Sequence, residues 1–150
     1  DNYLYKWFGY AADQKKYIKI DRWDSWNMDH TLAPIILPLL IQLKETQHGS
    51  PHVDIEDVPE ELQLHGGTRH ELSQYDLFPS DEHDQMCWDA MHARWEWVLD
   101  EMIYAFDCKA NKDDVFMRFD ITDRKGMKAE QKRISNGFRL FGKYYENLWD

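Results

Sequence analysis

Apolar residues recur at helical spacing along three stretches of the chain and alternate, strand-like, along two others. A first helix is predicted from about Asp29 to Thr46, with Asn27 or Asp29 able to cap it. Ile35, Ile36, Leu37, Leu39, Leu40, Ile41 and Leu43 leave it almost no polar side, which places it at the centre of the core. Pro34 is tolerated in a first turn, whereas Pro38, one turn later, should bend the helix or force a 3₁₀ start. A second helix is predicted over about Asp84–Asp107. Its core stripe is Trp88, Met91, Trp95, Val98 or Leu99, Met102 and Phe106. The third, from about Met127 to Trp149, carries Ile134, Phe138, Phe141, Tyr145 and Leu148 as its buried stripe. Gly137 and Gly142 lower its helix propensity by about 1 kcal/mol each relative to alanine, so both are read as sites of close packing.

The alternating stretches are Tyr17–Asp21, around Ile18 and Ile20, and Val115–Ile121, with Val115, Met117, Phe119 and Ile121 on one face. They are predicted to pair. Between the first two helices, residues 49–84 hold Pro51, Pro59, Pro79 and the Gly66-Gly67 pair, with one short helix over Glu60–Leu64. A segment this irregular reads as a wrapping loop or a functional arm. The resulting expectation is a single mainly helical α+β domain over residues 1–150. Three long helices pack with a small antiparallel sheet, a long acidic loop at 49–84 and an aromatic N-terminal segment at 1–18.

Composition supports a packed domain: 43% of the 150 residues are hydrophobic and 15% aromatic. The longest apolar run, Ala33–Ile41, is far short of a membrane span, and no signal-peptide pattern appears. Beginning at Asp1 rather than Met, the chain reads as a processed or partial product. Cys87 and Cys108 form neither a disulfide framework nor a zinc motif and are read as reduced thiols. The net charge of −10 is unevenly spread. Asp54–Asp107 holds fifteen acids and only Arg69 and Arg94, whereas Lys109–Lys143 holds ten bases and five acids. That acidic middle argues against direct nucleic-acid binding and suits a basic protein partner.

Candidate chemistry clusters in two places. The block Asp21-Arg22-Trp23-Asp24-Ser25-Trp26-Asn27-Met28-Asp29-His30 crowds aromatics and carboxylates just before the first helix. On the second helix, Asp89, His92, Glu96 and Asp100 share one face. Asp89, His92 and Glu96 with His30 are candidate metal ligands; His30 with Asp29 and His83-Asp84 also fits a metal-dependent hydrolase of the His-Asp type. Nucleophile elbows, phosphate loops and dinucleotide fingerprints are absent, and no cofactor is implied. Of the seven tryptophans, Trp97 cannot share a helix face with Trp95 and is a candidate surface anchor, or else lies under the 49–84 loop.

Long runs of the chain resemble a family of proteins encoded by tailed bacteriophages and found in viral metagenomes. The carrying segments are residues 19–33 (Lys-Ile-Asp-Arg-Trp-Asp-Ser-Trp-Asn-Met-Asp-His-Thr-Leu-Ala), Ile36–Pro38, Lys44–Pro51, Asp57–Leu62, Arg94–Ile103 and Gly137–Tyr145. The stretch before Lys19 departs from the family pattern. The resemblance implies a phage source and carries no activity with it; the expected location is the host cytoplasm, with the virion as the alternative. The leading expectation is therefore an accessory protein that binds a host or phage protein through an acidic, tryptophan-bearing surface at Trp26, Asp29, His30 and Trp97. A virion component and a metal-dependent hydrolase are the alternatives.

Overall fold

In a computed structural model, residues 18–63, 81–112, 115–120 and 122–149 are described, except for the side chains of 81–86 and 116. The elements are α1 (Met28–Thr46), α2 (Glu60–Gln63), α3 (Asp81–Asn111), α4 (Val115–Arg118) and α5 (Arg124–Lys143), with 3₁₀ turns at Ile55–Asp57 and Tyr145–Asn147. The predicted aromatic N-terminal segment as far as Tyr17, and residues 64–80 of the acidic arm with the Gly66-Gly67 break, lie outside the described residues.

The spine is α3. Its 31 residues extend about 46 Å, and α1 and α5 both pack along it, antiparallel. Lys44 near the end of α1 meets Asp100, while Asp29 at its start meets Lys109. On the other side Tyr144 lies edge-on to Trp95, and Arg133 reaches Glu101. The main core gathers Trp95, Val98, Leu99, Met102 and Phe106 from α3 with Ala33, Leu37 and Leu40 from α1, and Leu140 and Tyr144 from the α5 end. A second cluster joins Ala105 and Cys108 to Val115 and Ile134.

Close approach of α5 to α3 depends on Gly137. A Cβ built there would collide with the Glu101 carbonyl oxygen and lie 2.5 Å from the Ala105 Cβ. Around this contact Glu101, 7% exposed, takes a two-pronged grip from the Arg133 guanidinium at 2.7–3.2 Å. The guanidinium also stacks 3.6 Å over the Tyr104 ring, whose hydroxyl donates to Glu130 at 2.7 Å. The other predicted close contact is not found among the described residues, where a Cβ on Gly142 would meet nothing within 4 Å.

The described part of the predicted arm, residues 49–63, wraps onto the bundle. Val53 and Val58 enter the main core, and the buried Asp57 carboxylate pins the turn to α5. It accepts from the Tyr144 hydroxyl at 2.6 Å, from Lys143 at 2.5 Å and from Arg139 at 2.8 Å. Tyr144 Oη in turn accepts from the Asp54 amide at 3.0 Å. Burial pulls the Asp57 pKa upward, but the hydrogen bonds from Lys143, Tyr144 and Arg139 outweigh it and hold the carboxyl below its usual range. Burial, then the Asp57 bond, pushes the Tyr144 hydroxyl up to about 12. Beyond this turn, Arg94, 2% exposed, donates to the Leu62 carbonyl at 2.9 Å.

The structure corrects the α+β expectation, because among the described residues there is no strand. Ile18 and Ile20 stand 62% and 78% exposed without regular structure, so the second predicted strand has nothing to pair with. Residues 115–118 instead form the single-turn α4. A two-residue step on a helix turns about 200°, which buries Val115 in the second cluster and turns Met117 out, 81% exposed. The helices also differ from their predicted extents. Both Pro34 and Pro38 lie inside α1, on its exposed side, where carbonyls deprived of a donor can take water. The core face of α5 is Ile134, Gly137, Leu140 and Tyr144; Tyr145 is 65% exposed, because α5 ends at Lys143 and the chain tightens into a 3₁₀ turn.

Two tests follow from this packing. Gly137→Ala should cost about 1–3 kcal/mol in urea melts from overpacking, whereas Gly142→Ala should stabilise by up to about 1 kcal/mol from helix propensity. Asp57→Asn should cost about 3 kcal/mol near neutral pH, since Arg139 and Lys143 lose a buried counter-charge. A depressed folded pKa gives stability that is full above the unfolded carboxyl value of about 4 and fades as pH falls through the folded value. The gap between wild type and variant should therefore narrow as pH is taken from about 5 to about 2.

Candidate functional site

Carboxylates in the Asp21–His30 block make the local backbone. Asp21 Oδ1 accepts from the Trp23 amide at 3.2 Å, while Asp24 Oδ2 accepts from the Asp21 amide at 2.7 Å, a reciprocal pair that fixes the turn. Thr31 Oγ1 ties α1 back to the Asp24 carbonyl at 3.2 Å. This turn displays the tryptophans outward: Trp23 is 54% and Trp26 79% exposed, edge to face with ring centroids 5.3 Å apart. Arg22 stacks over Trp23 at 4.3 Å. Neither ring seals the core. Asp29 is engaged by Lys109 at 2.8 Å, whose hydrogen bond above all holds its carboxyl below the usual range.

From this corner the apolar surface continues along α1. Met28, Leu32, Ile35 and Leu39 are exposed and follow one another at spacings of four, three and four residues. Such spacing keeps them on one stripe and is the pattern that seats knobs of one helix in the holes of another. Ala33, Leu37 and Leu40 bury the other side. The expectation that α1 would be central is thereby corrected: α3 occupies that place, and α1 offers a second apolar face to solvent.

The candidate metal ligands do not converge. His92 pairs with Ser50 at 2.8 Å and lies 3.7 Å from Glu96, on the half-exposed side of α3. Asp89 is exposed on that same side. His30, with Asp29 at 4.0 Å, sits instead beside Lys109. Lys109 is seventeen residues, or about 25 Å of helix, from His92. Among the described residues no group of three or more His, Cys, Asp or Glu side chains is placed to hold a metal ion. The His83-Asp84 side chains lie outside those residues. Trp97 is half-buried and packs against the main core, so it is no free surface anchor.

Two features had gone unread in the sequence. One is the α1 stripe, whose signal was the helix's all-round apolarity. The other is a cleft of about 80 Å³ where α1, α3, α4 and α5 meet, lined by His30, Lys109, Lys112 and Arg118 above an apolar floor. No periodicity could assemble it, since its residues come from four elements.

Because the stripe has no partner among the described residues, polar replacement there should leave folding intact. Leu39→Gln and Trp26→Ser should each change stability by less than about 0.5 kcal/mol, while Leu40→Ala, on the buried side, should cost about 2–5 kcal/mol. Thermal melts of the three variants give the comparison.

No helix among the described residues is long and apolar enough to cross a membrane. No protein-family model matches the chain, and neither a curated protein nor a solved structure matches it significantly.

Proposed function

We propose that this chain is a phage-encoded accessory protein that acts in the host cytoplasm by binding another protein. The observation that carries the reading is the solvent-facing apolar stripe Met28, Leu32, Ile35, Leu39, continuous in sequence with the exposed Trp23–Trp26 corner. Contiguous apolar surface on a folded domain marks a place of association, and tryptophans supply contact area with few rotamers to order. The heptad-like spacing suits an amphipathic helix laid along α1, with the tryptophans clamping its end. The acids that suggested a basic partner contribute less. Asp54 and Asp57 pair with Lys143, Glu101 with Arg133, and Asp107 with Lys112, all bases from the chain's own C-terminal third. Apolar complementarity therefore leads, and net charge steers approach.

A photo-crosslinking residue placed at Leu39, with the same residue at exposed Lys132 on α5 as control, tests this in lysate of infected host cells. Adducts confined to the Leu39 probe, and lost when Trp26→Ser is added, are the expected result. Equal labelling from both positions would overturn the reading. So would sedimentation as a homodimer that Leu39→Gln dissolves, because a second copy would then cover the stripe.

A further inference from the structure

The bases of α5 divide into two sets. Arg133, Arg139 and Lys143 are taken up by carboxylates of the bundle, Glu101, Asp57 and Asp54. Arg124, Lys125, Lys128 and Lys132 are exposed, and none of the four makes an ion pair, hydrogen bond or ring contact. Arg124, Lys125 and Lys132 each lie three or four residues from Lys128, so the four cations share one face of the helix. From Arg124 to Lys132 that face runs about 12 Å. The single acid of α5, Glu130, is turned the other way: its side chain is 14% exposed and holds the Tyr104 hydroxyl and Arg118.

Unpaired cations on one face call for an anionic partner, and the rest of the face selects its kind. Protein interfaces are held by aromatic or aliphatic anchors. The other exposed residues between Arg124 and Ser135 are Ala129, Gln131, Arg133 and Ser135, none of them such an anchor. A phosphate backbone asks only for donors, and Ser and Gln side chains serve it as Lys and Arg do. Single strands are gripped by stacking their bases on aromatic rings, which this face lacks. A duplex offers one charge per about 1.7 Å of its length, so about 12 Å of helix passes more phosphates than four cations can use. The net charge of −10 opposes approach, but beyond about 8 Å its field is screened at physiological salt, so local charge decides at contact. At the N-terminal corner the exposed Asp120 and Asp123 carboxylates accept from the Thr122 and Gly126 amides, and their charge offsets part of that of Arg124. The three lysines therefore lead.

We propose that the outer face of α5 binds the phosphate backbone of a nucleic-acid duplex without reading its sequence, through Lys125, Lys128 and Lys132 with Arg124 beside them. Total charge argued against such a partner, but part of the acid, Asp54, Asp57 and Glu101, is drawn onto the inner bases of α5 while the outer bases stay free. The face is separate from the α1 stripe and does not depend on the protein-binding reading. A duplex crosslinked at Lys132 is removed by nuclease, which keeps it distinct from a protein adduct.

The test is fluorescence anisotropy of a short mixed-sequence DNA duplex titrated with the full chain, from low salt upward. Saturable binding is expected, weakening about tenfold for each doubling of salt, as release of counterions from four phosphates implies. A second duplex of unrelated sequence should bind equally. Lys128→Gln and Lys132→Gln should each weaken binding about threefold or more at low salt and make the slope of log K against log salt shallower by about 1. Lys128→Arg should restore both, and Lys44→Gln, whose cation is paired with Asp100 on another helix, should change neither. The outer lysines are exposed and unpaired, so the variants should melt as wild type does. Absence of binding at low salt, or a salt slope unchanged in both glutamine variants, would overturn the proposal. So would tighter binding of the same face to poly-glutamate or to phosphatidylserine vesicles, which would assign it to an acidic protein or to a membrane surface.

Discussion

The absent side chain at Gly137 sets how close α5 can come to α3, and most of the structure follows from that distance. The Glu101 carbonyl and Ala105 methyl occupy the space a Cβ would need. With the helices that close, Phe106 meets Phe138 and Phe141 edge-on, and the Arg133 fork spans to Glu101. The same approach brings Ile134 against Cys108 and Val115, which closes the second cluster and raises the walls of the basic cleft. A wider gap would leave Glu101 buried without its counter-ion, a state that costs several kcal/mol.

Charge segregation along the chain acts mainly within the molecule. An acidic middle and a basic C-terminal third fold against each other, and the most buried carboxylates, Asp57 and Glu101, receive their cations from α5. Asp57 matters most here, because it converts an irregular loop into a fixed cover over the core. A loop carrying Val53 and Val58 needs a polar anchor at its turn, and the Tyr144 hydroxyl serves both Asp57 and the Asp54 amide. Outward, what remains is an apolar stripe on α1 and a small basic cleft. These are two surfaces of different chemistry.

Much of the helical core was legible. Trp95, Met102 and Phe106 follow the period of α3 and are buried as that period demands, and Gly137 was placed at a close contact. Failures have specific physical causes. Val115–Ile121 alternates like a strand, yet a strand is stable only beside a partner, and Ile18 and Ile20 provide none. Local alternation lost to the gain from burying Val115 beside Ala105 and Cys108 on a helical turn. The carboxylates of the tryptophan block looked like chemistry because composition does not distinguish a turn-forming Asp21 or Asp24 from a ligand.

Sequence by itself determined the three helices, their apolar faces and the opposing charges of the middle and C-terminal thirds, because periodicity and charge are local properties. Tertiary structure alone decided which helix is central. An apolar surface on every side makes α1 capable of being the core, but α3 took the central place, packed by Ala33, Leu37 and Leu40 of α1 on one flank and by α5 through Gly137 on another. The face of α1 left outside, and the cleft built from four separate elements, exist only because of that choice.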